Sequence, residues 1–547
     1  MNLRFLYVAA LAGAVAALCG CTKTTGGGTV GGRVNSWTQP HVWRFADAGD
    51  VNTLNPHLGQ YTDIGYLSSM TQAYLIKWDE HNRPYPELAT EVPDQKNGGV
   101  SKDGLTITYH IRKGVKWSDG APFDADDVVF STKVVLNPAN NEVGRLGWDQ
   151  ITKVDEPDKF TVVYHMKKPY SPFIETFFST AGANPDILPK HLLAQYPNIN
   201  HVAYNSLPIG IGPFKYERWE RAQQIVLVPN PLYWRGQPKL KEIIYKIIPD
   251  RNTNLAQLEA KEIDMWDLVP GAYLSRVQAI PGISILRQPS YFFNHLDFNT
   301  TRPTVGDPIV RQALRMAIDR RTIIEKIGRG VGILQEVTTP KTAPYNVTSI
   351  PLVPFDIAKA NELLEKDGWT RGPDGIRQKH GARLALDFAT TAGAPDADEQ
   401  IELIRATWKE IGVDITVRHY PPALMFAPLQ QGGIVYSNKW DVIIFAWLND
   451  AIGDMSPLYS CHSIPPAGQN NLHWCNQRAQ GAMDALFAHF DQTQRNGDVL
   501  TLEQELTKDV PTIVTSLRED IFAYNSDLKN FHPSSLTPFD NVMDVDI

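Results

Sequence analysis

Apolar and polar residues alternate from Thr106 to Arg112, with Ile107, Tyr109 and Ile111 on one side and Thr106, Thr108, His110 and Arg112 on the other. That is the period of a half-buried strand. Lys113-Gly114 and Ser118-Asp119-Gly120 follow as turn signals. Asp124 then stands where it can cap a helix whose first turn carries Asp126 and Asp127, favourable at the positive end of the helix dipole. Val128, Val129, Val134 and Val135 supply that helix with an apolar face. The two-residue period returns at 159–166, and further strands are expected at 42–45, 243–248, 263–266, 291–299, 384–388 and 413–417. Helical spacing marks 66–78, 254–261, 307–320, 356–366 and 399–411, with Asp307 placed to cap and Pro308 fitting a first turn. A continuous apolar run at 439–450 ends in Trp447, Asn449 and Asp450, polar groups at the carboxyl end of a buried-type strand. In α/β sheets ligands sit at such ends. The rhythm of elements predicts a mixed α/β protein.

Length and composition narrow the class. The 547 residues suffice for two or three domains. Apolar content of 43% and charged content of 20% suit a soluble globular chain. The net charge of −8 argues against a general nucleic-acid binder, which needs a basic face. The 13 Trp residues fit large cores or an aromatic-lined cleft, and composition does not choose between them. The chain carries no HExxH, GxSxG or P-loop, so no enzyme and no cofactor is expected. Gly26 to Gly31 formally matches GxGxxG, but no strand precedes it and no helix follows.

The N-terminus reads as an address. Arg4 precedes a run at 5–18 that is almost wholly apolar or small, and Leu18-Cys19-Gly20-Cys21 comes next. This looks like a bacterial lipoprotein signal over 1–20, with Cys21 lipidated. Cys19 stands where Ala or Ser is usual. The simpler alternative is a secretory signal or a single anchor, for which the run is short. Residues 21–36 are rich in Gly and Thr, as in a flexible tether. The remaining Cys461 and Cys475 lie fourteen positions apart. In an exported chain they are expected to pair as a disulfide. A Cys2His2 zinc site with His462 and His473 is the alternative.

The run from Ile111 to Ser131, IRKGVKWSDGAPFDADDVVFS, resembles a segment of the family 5 extracellular solute-binding proteins. These are the peptide-, nickel- and sugar-binding components of ABC importers. Ser118 and Asp124 are mild departures. Similar motifs recur at 53–57 (TLNPH), 210–214 (GIGPF), 230–234 (NPLYW), 296–300 (LDFNT) and 310–320 (VRQALRMAIDR). The resemblance implies a periplasmic-binding-protein-like fold of three lobes: lobe I at 37–78, 205–290 and 520–547, lobe II at 79–204, and lobe III at 291–519. It implies a ligand cleft between lobes I and III that closes about a hinge. The closed protein, a monomer tethered by its lipid, would deliver ligand to a membrane permease.

Peptide binders of the family have a Gly-Trp-x-x-Asp whose Asp holds the peptide α-ammonium. Trp447 and Asp450 match it, with Ala446 in place of Gly. The blander reading has Asp450 capping the next loop and Trp447 packing in a core. Asn449 and Tyr291 are held as cleft-lining residues, and Trp440 as core. The same relatives have a Cys-to-Trp-Cys loop like Cys461 to Trp474-Cys475. A short peptide is therefore the expected ligand. Nickel chelates, opines or oligosaccharides are the alternatives within the family, and a secreted hydrolase or a peptide-dependent sensor is the alternative outside it.

Overall fold

The long central sheet is built from ten strands drawn from both ends of the chain. The computed structural model describes residues 35–47, 51–59, 62–181 and 185–547. The lipidation site Cys21, the signal over 1–20 and the tether up to residue 34 lie outside the described residues. We number the principal strands β1 (Val42–Asp47), β2 (Thr106–His110), β3 (Ile151–Asp158), β4 (Thr161–Met166), β5 (Phe214–Glu220), β6 (Gln224–Pro229), β7 (Glu242–Ile247), β8 (Met265–Trp266), β9 (Ile283–Phe298), β10 (Ala385–Thr391), β11 (Asp414–Tyr420), β12 (Val442–Leu448) and β13 (Thr512–Asn525). The central sheet runs β11-β10-β12-β9-β13-β8-β1-β7-β6-β5. β10 and β11 pair in parallel, as do β1 and β7, whereas β9 lies antiparallel to both β12 and β13.

β9 and β13 are the long members, 16 and 14 residues, and they carry the chain across the middle of the sheet. The expected lobe boundaries at 290/291 and 519/520 fall inside them. Their pairing slips there: Pro289 faces Glu519, yet Phe293 already faces Leu517. Proline has no N–H to give the ladder, so a bulge at this point is the natural outcome.

The segment from 73 to 211 packs its own core, in which Trp117, Tyr109, Trp148, Tyr164 and Phe177 are buried. Its sheet is β2-β4-β3. Asp124 caps helix Ala125–Leu136 in a reciprocal box with Asp127. Asp127 also accepts the Trp117 indole N–H at 3.1 Å and the Lys190 backbone N–H at 2.9 Å. The residues of the 111–131 motif are thus joined through one buried carboxylate.

Two expectations are corrected. The helix expected over 66–78 spans Thr62–Thr71, and Ile76–Trp78 is a strand. Leu75 and Ile76 donate to the Phe178 carbonyl, a partner more than a hundred positions away that periodicity cannot see. The strand expected at 291–299 begins at Ile283 instead. Pro289 and Ser290 read locally as a break, but the chain passes through them as a bulge.

The GIGPF motif explains itself only in three dimensions. A Cβ on Gly210 would lie 1.9 Å from the Thr71 carbonyl oxygen, and one on Gly212 would lie 2.5 Å from that of Met70. The motif is pressed against the end of helix Thr62–Thr71, and backbone cannot yield as a side chain can. Gly210→Ala is expected to cost about 1–3 kcal/mol or more, read as a lowered denaturation midpoint in urea.

Candidate functional site

β12 is buried at Val442, Ile443 and Ile444 and emerges at its carboxyl end, where Leu448 is 50% exposed. The chain then turns sharply. One oxygen of Asp450, Oδ1, accepts the backbone N–H groups of Ile452, Gly453 and Asp454 at 3.1, 2.5 and 2.8 Å. The Ala451 N–H is taken by Glu175 at 2.8 Å. Gly453 sits at φ 86°, and a Cβ there would meet the Tyr345 ring at 2.9 Å. The Tyr345 hydroxyl in turn donates to the Asp450 carbonyl at 2.5 Å. Asp450 therefore does cap its loop. Its second oxygen, Oδ2, meets no protein donor among the described residues.

That turn borders a cavity of about 290 Å3. Its acidic lining is Glu175, Asp450 and Asp454, and its apolar lining includes Leu146, Leu448 and Leu536. Asn449 and Tyr291 also line it. Asn449 is held by its backbone N–H to the Tyr291 carbonyl at 2.9 Å and by its side-chain amide to the Thr338 carbonyl at 2.7 Å. Thr338 is itself fixed by the buried Glu503, at 2.9 Å through its backbone N–H. The Asn449 Oδ1 and the Tyr291 hydroxyl are buried without a hydrogen-bond partner among the described residues. Buried polar groups normally have one.

The electrostatics are those of crowded carboxylates. Burial, then the neighbouring Asp454, pushes Asp450 up to about 8. Burial raises Asp454 as well. Glu175 is driven well above the usual carboxylate range by burial first, then by Asp450 and Asp454, against the pull of Arg495. The Tyr291 hydroxyl is raised by burial and by Asp450 and Glu175. Burial and mutual repulsion thus favour the protonated forms of these carboxyl groups.

Three of the four expected ligand residues, Asp450, Asn449 and Tyr291, meet at this cavity. Trp447 does not line it; it packs against the core that holds Phe293, Met455, Leu458 and Trp474. Trp440 is buried, with its indole N–H donating to the Ile434 carbonyl at 3.0 Å. Sequence reasoning missed Glu175, Asp454, Leu146 and Leu536. Glu175 sits in a proline-punctuated stretch with no local mark of a site. Asp454, four positions past Asp450 with a glycine between them, was the detectable one. Cys461 and Cys475 are joined by a disulfide, with Cα atoms 4.8 Å apart. Among the described residues no helix is long and apolar enough to cross a membrane.

The model of bacterial extracellular solute-binding proteins, family 5 Middle, matches residues 83–467. The chain belongs to this family. Its solute-binding fold aligns with the structure of the Bacillus subtilis oligopeptide-binding protein AppA in complex with a nonapeptide, at a TM-score of 0.72 and 23% identity, covering 93% of this chain and 99% of that one. By sequence, this solute-binding protein is 26% identical to AppA of Bacillus subtilis (strain 168) over 453 residues, 81% of this chain and 80% of that protein. It is 27% identical to the nickel-binding periplasmic protein of Escherichia coli (strain K12) over 401 residues, 72% of this chain and 74% of that protein. Family 5 members are extracytoplasmic binding components of ABC importers, and these relatives are binding proteins for peptides or nickel.

Proposed function

We propose that this chain is a lipid-anchored binding protein that captures short peptides in the cavity beside Asp450 and delivers them to a membrane permease. The observation that carries the reading is Asp450 itself. One of its oxygens organises the turn and the other is left for a ligand, in a cavity whose polar lining is dominated by acceptors. A peptide α-ammonium offers three donors and a positive charge to that lining. A charge-assisted hydrogen bond of this kind contributes about 1.5–3 kcal/mol. A cavity of about 290 Å3 lies at the small end of the roughly 300–1,000 Å3 range of ligand pockets. This favours the first residues of a peptide as what it encloses.

With the lobe bounds that the resemblance implies, the cavity lining divides into 144–181 of lobe II, 291 and 448–454 of lobe III and 535–536 of lobe I, so lobe II would join the cleft expected between lobes I and III. Closure about the slipped pairing of β9 and β13 would bring those walls together. The lipid on Cys21 would keep the protein near its permease and raise its effective concentration there. The Cys461–Cys475 disulfide suits the oxidising side of the membrane.

The test is a thermal-shift screen of the purified protein with di- to hexapeptides, nickel with histidine, opines and oligosaccharides. A ligand at a hundred times its dissociation constant adds about 2.7 kcal/mol of stability. Stabilisation by free peptides but not by their N-acetylated forms is the expected result. Stabilisation by a sugar or a metal chelate alone would overturn the peptide reading and leave the family assignment in place. Turnover of a peptide would point to the hydrolase instead.

A further inference from the structure

We propose that the cavity beside Asp450 selects a dication: a peptide whose first residue carries a lysine or arginine side chain, so that α-ammonium and side-chain cation are enclosed together. The proposal rests on the reading of this cavity as the ligand site.

Glu175, Asp450 and Asp454 bring three carboxylates to one cavity. The described residues that line it include no Lys, Arg or His. Arg495, which does not line the cavity, is attracted both to Glu175 and to Asp491, and its Nη2 is already given to Gln492 at 2.6 Å. One ligand ammonium would leave at least one carboxylate to be neutralised by a proton. Two cations would match what Arg495 leaves over.

The hydrogen-bonding inventory points the same way and is independent of charge. The amide oxygen of Asn449 is buried, belongs to a residue that lines the cavity and has no donor among the described residues. The Tyr291 hydroxyl is likewise buried and unpartnered, and can accept. The Tyr345 hydroxyl is committed to the Asp450 carbonyl. The Tyr170 hydroxyl lies 3.2 Å from Thr176 Oγ1. A lining rich in acceptors calls for a ligand rich in donors. Ammonium and guanidinium groups donate only, with three and five N–H bonds respectively. A ligand carboxylate inside the same space would find no cation among the described lining residues, and the Asn449 amide N–H is already given to the Thr338 carbonyl. The apolar walls of Leu146, Leu448 and Leu536 suit the methylene stem that separates two cations.

Isothermal titration calorimetry of the purified protein with Lys-Gly, Arg-Gly, Leu-Gly and cadaverine tests this. Lys-Gly and Arg-Gly are expected to bind at least about tenfold more tightly than Leu-Gly, a gap of about 1.4 kcal/mol. Glu175→Gln and Asp454→Asn are each expected to shrink that gap, and the unliganded melting temperature of each variant reports whether it is folded. The preference should weaken with added salt less than a surface ion pair would, because the pair is buried. Equal affinity for Lys-Gly and Leu-Gly, with both variants moving the two alike, would overturn the dication and leave the peptide reading standing. Binding of cadaverine with no peptide bound would overturn both the proposal and the peptide reading, and point to a free diamine as the ligand. Binding of none of the four would overturn the dication whatever else the protein binds.

Discussion

Asp450→Asn is expected to abolish most peptide affinity while leaving the ligand-free protein at least as stable as before. The asparagine Oδ1 can still accept the Ile452, Gly453 and Asp454 N–H groups, so the turn survives. What disappears is the ability to ionise: burial and the neighbouring Asp454 already hold the ligand-free carboxyl in its protonated form, and asparagine cannot take up the charge that a cationic ligand needs. Removing one partner of a buried charged contact costs about 2–5 kcal/mol, which is roughly a 30- to several-thousand-fold loss of affinity. Calorimetric titration beside a thermal melt of the ligand-free protein separates the two effects. An asparagine variant that binds peptide as well as the parent would reduce Asp450 to a loop cap.

The same group sets a pH dependence. Asp450 is pushed from 3.8 up to about 8. The folded, ligand-free protein therefore keeps a proton that the unfolded chain has lost. The stability this brings is complete below pH 3.8 and is lost as pH rises through 8. A cationic ligand reverses the sign, because it holds Asp450 ionised and must expel the proton. Affinity is thus expected to rise between about pH 6 and 8, by at most about tenfold per unit for each proton released. Calorimetry in buffers of different ionisation enthalpy would detect that proton, and Asp450→Asn should flatten the slope.

His57→Ala is expected to be the most destabilising single change outside the cavity. The His57 ring is fully buried, with Nδ1 2.5 Å from Glu142 and Nε2 3.1 Å from the Asp186 carboxylate. Burial works against its charge, but Glu142 and Asp186 outweigh it and lift the ring to about 10. Removing the ring would leave two buried carboxylates facing one another, a loss of about 3–5 kcal/mol. Because the folded value is raised, the ring's contribution is full below pH 6.5 and is lost as pH climbs through 10. The gap between parent and variant in urea denaturation should therefore be wide near neutral pH and narrow above pH 10. This ion triad joins the loop at 51–59 to the chain at 142 and 186. The His57 carbonyl accepts the Val143 N–H at 3.1 Å, beside Gly144 and Leu146 of the cavity wall. A loosened wall would also weaken ligand binding.

What could be read from the chain was whatever depends on neighbours in sequence. The alternation at 106–112, the Asp124, Asp307 and Asp356 caps, and the apolar run ending at Asp450 involve residues within a few positions of one another. The structure places β2, three capped helices and β12 there. The motifs carried the family, and Asp450 came out of the sequence with both its readings, cap and ligand group.

Only the tertiary structure showed that the two are compatible, because a carboxylate has two oxygens and the turn uses one. It alone brought Glu175 across 276 positions to the Ala451 N–H, and it decided between the two readings of Trp447 by packing that residue against a core beside the cavity. It also joined His57 to Glu142 and Asp186, and showed that GIGPF needs glycine because a helix end lies against it. Local pattern records which face of an element is apolar. It carries no record of what that face meets, so a site assembled from distant segments, each with a single polar residue to contribute, stays out of its reach.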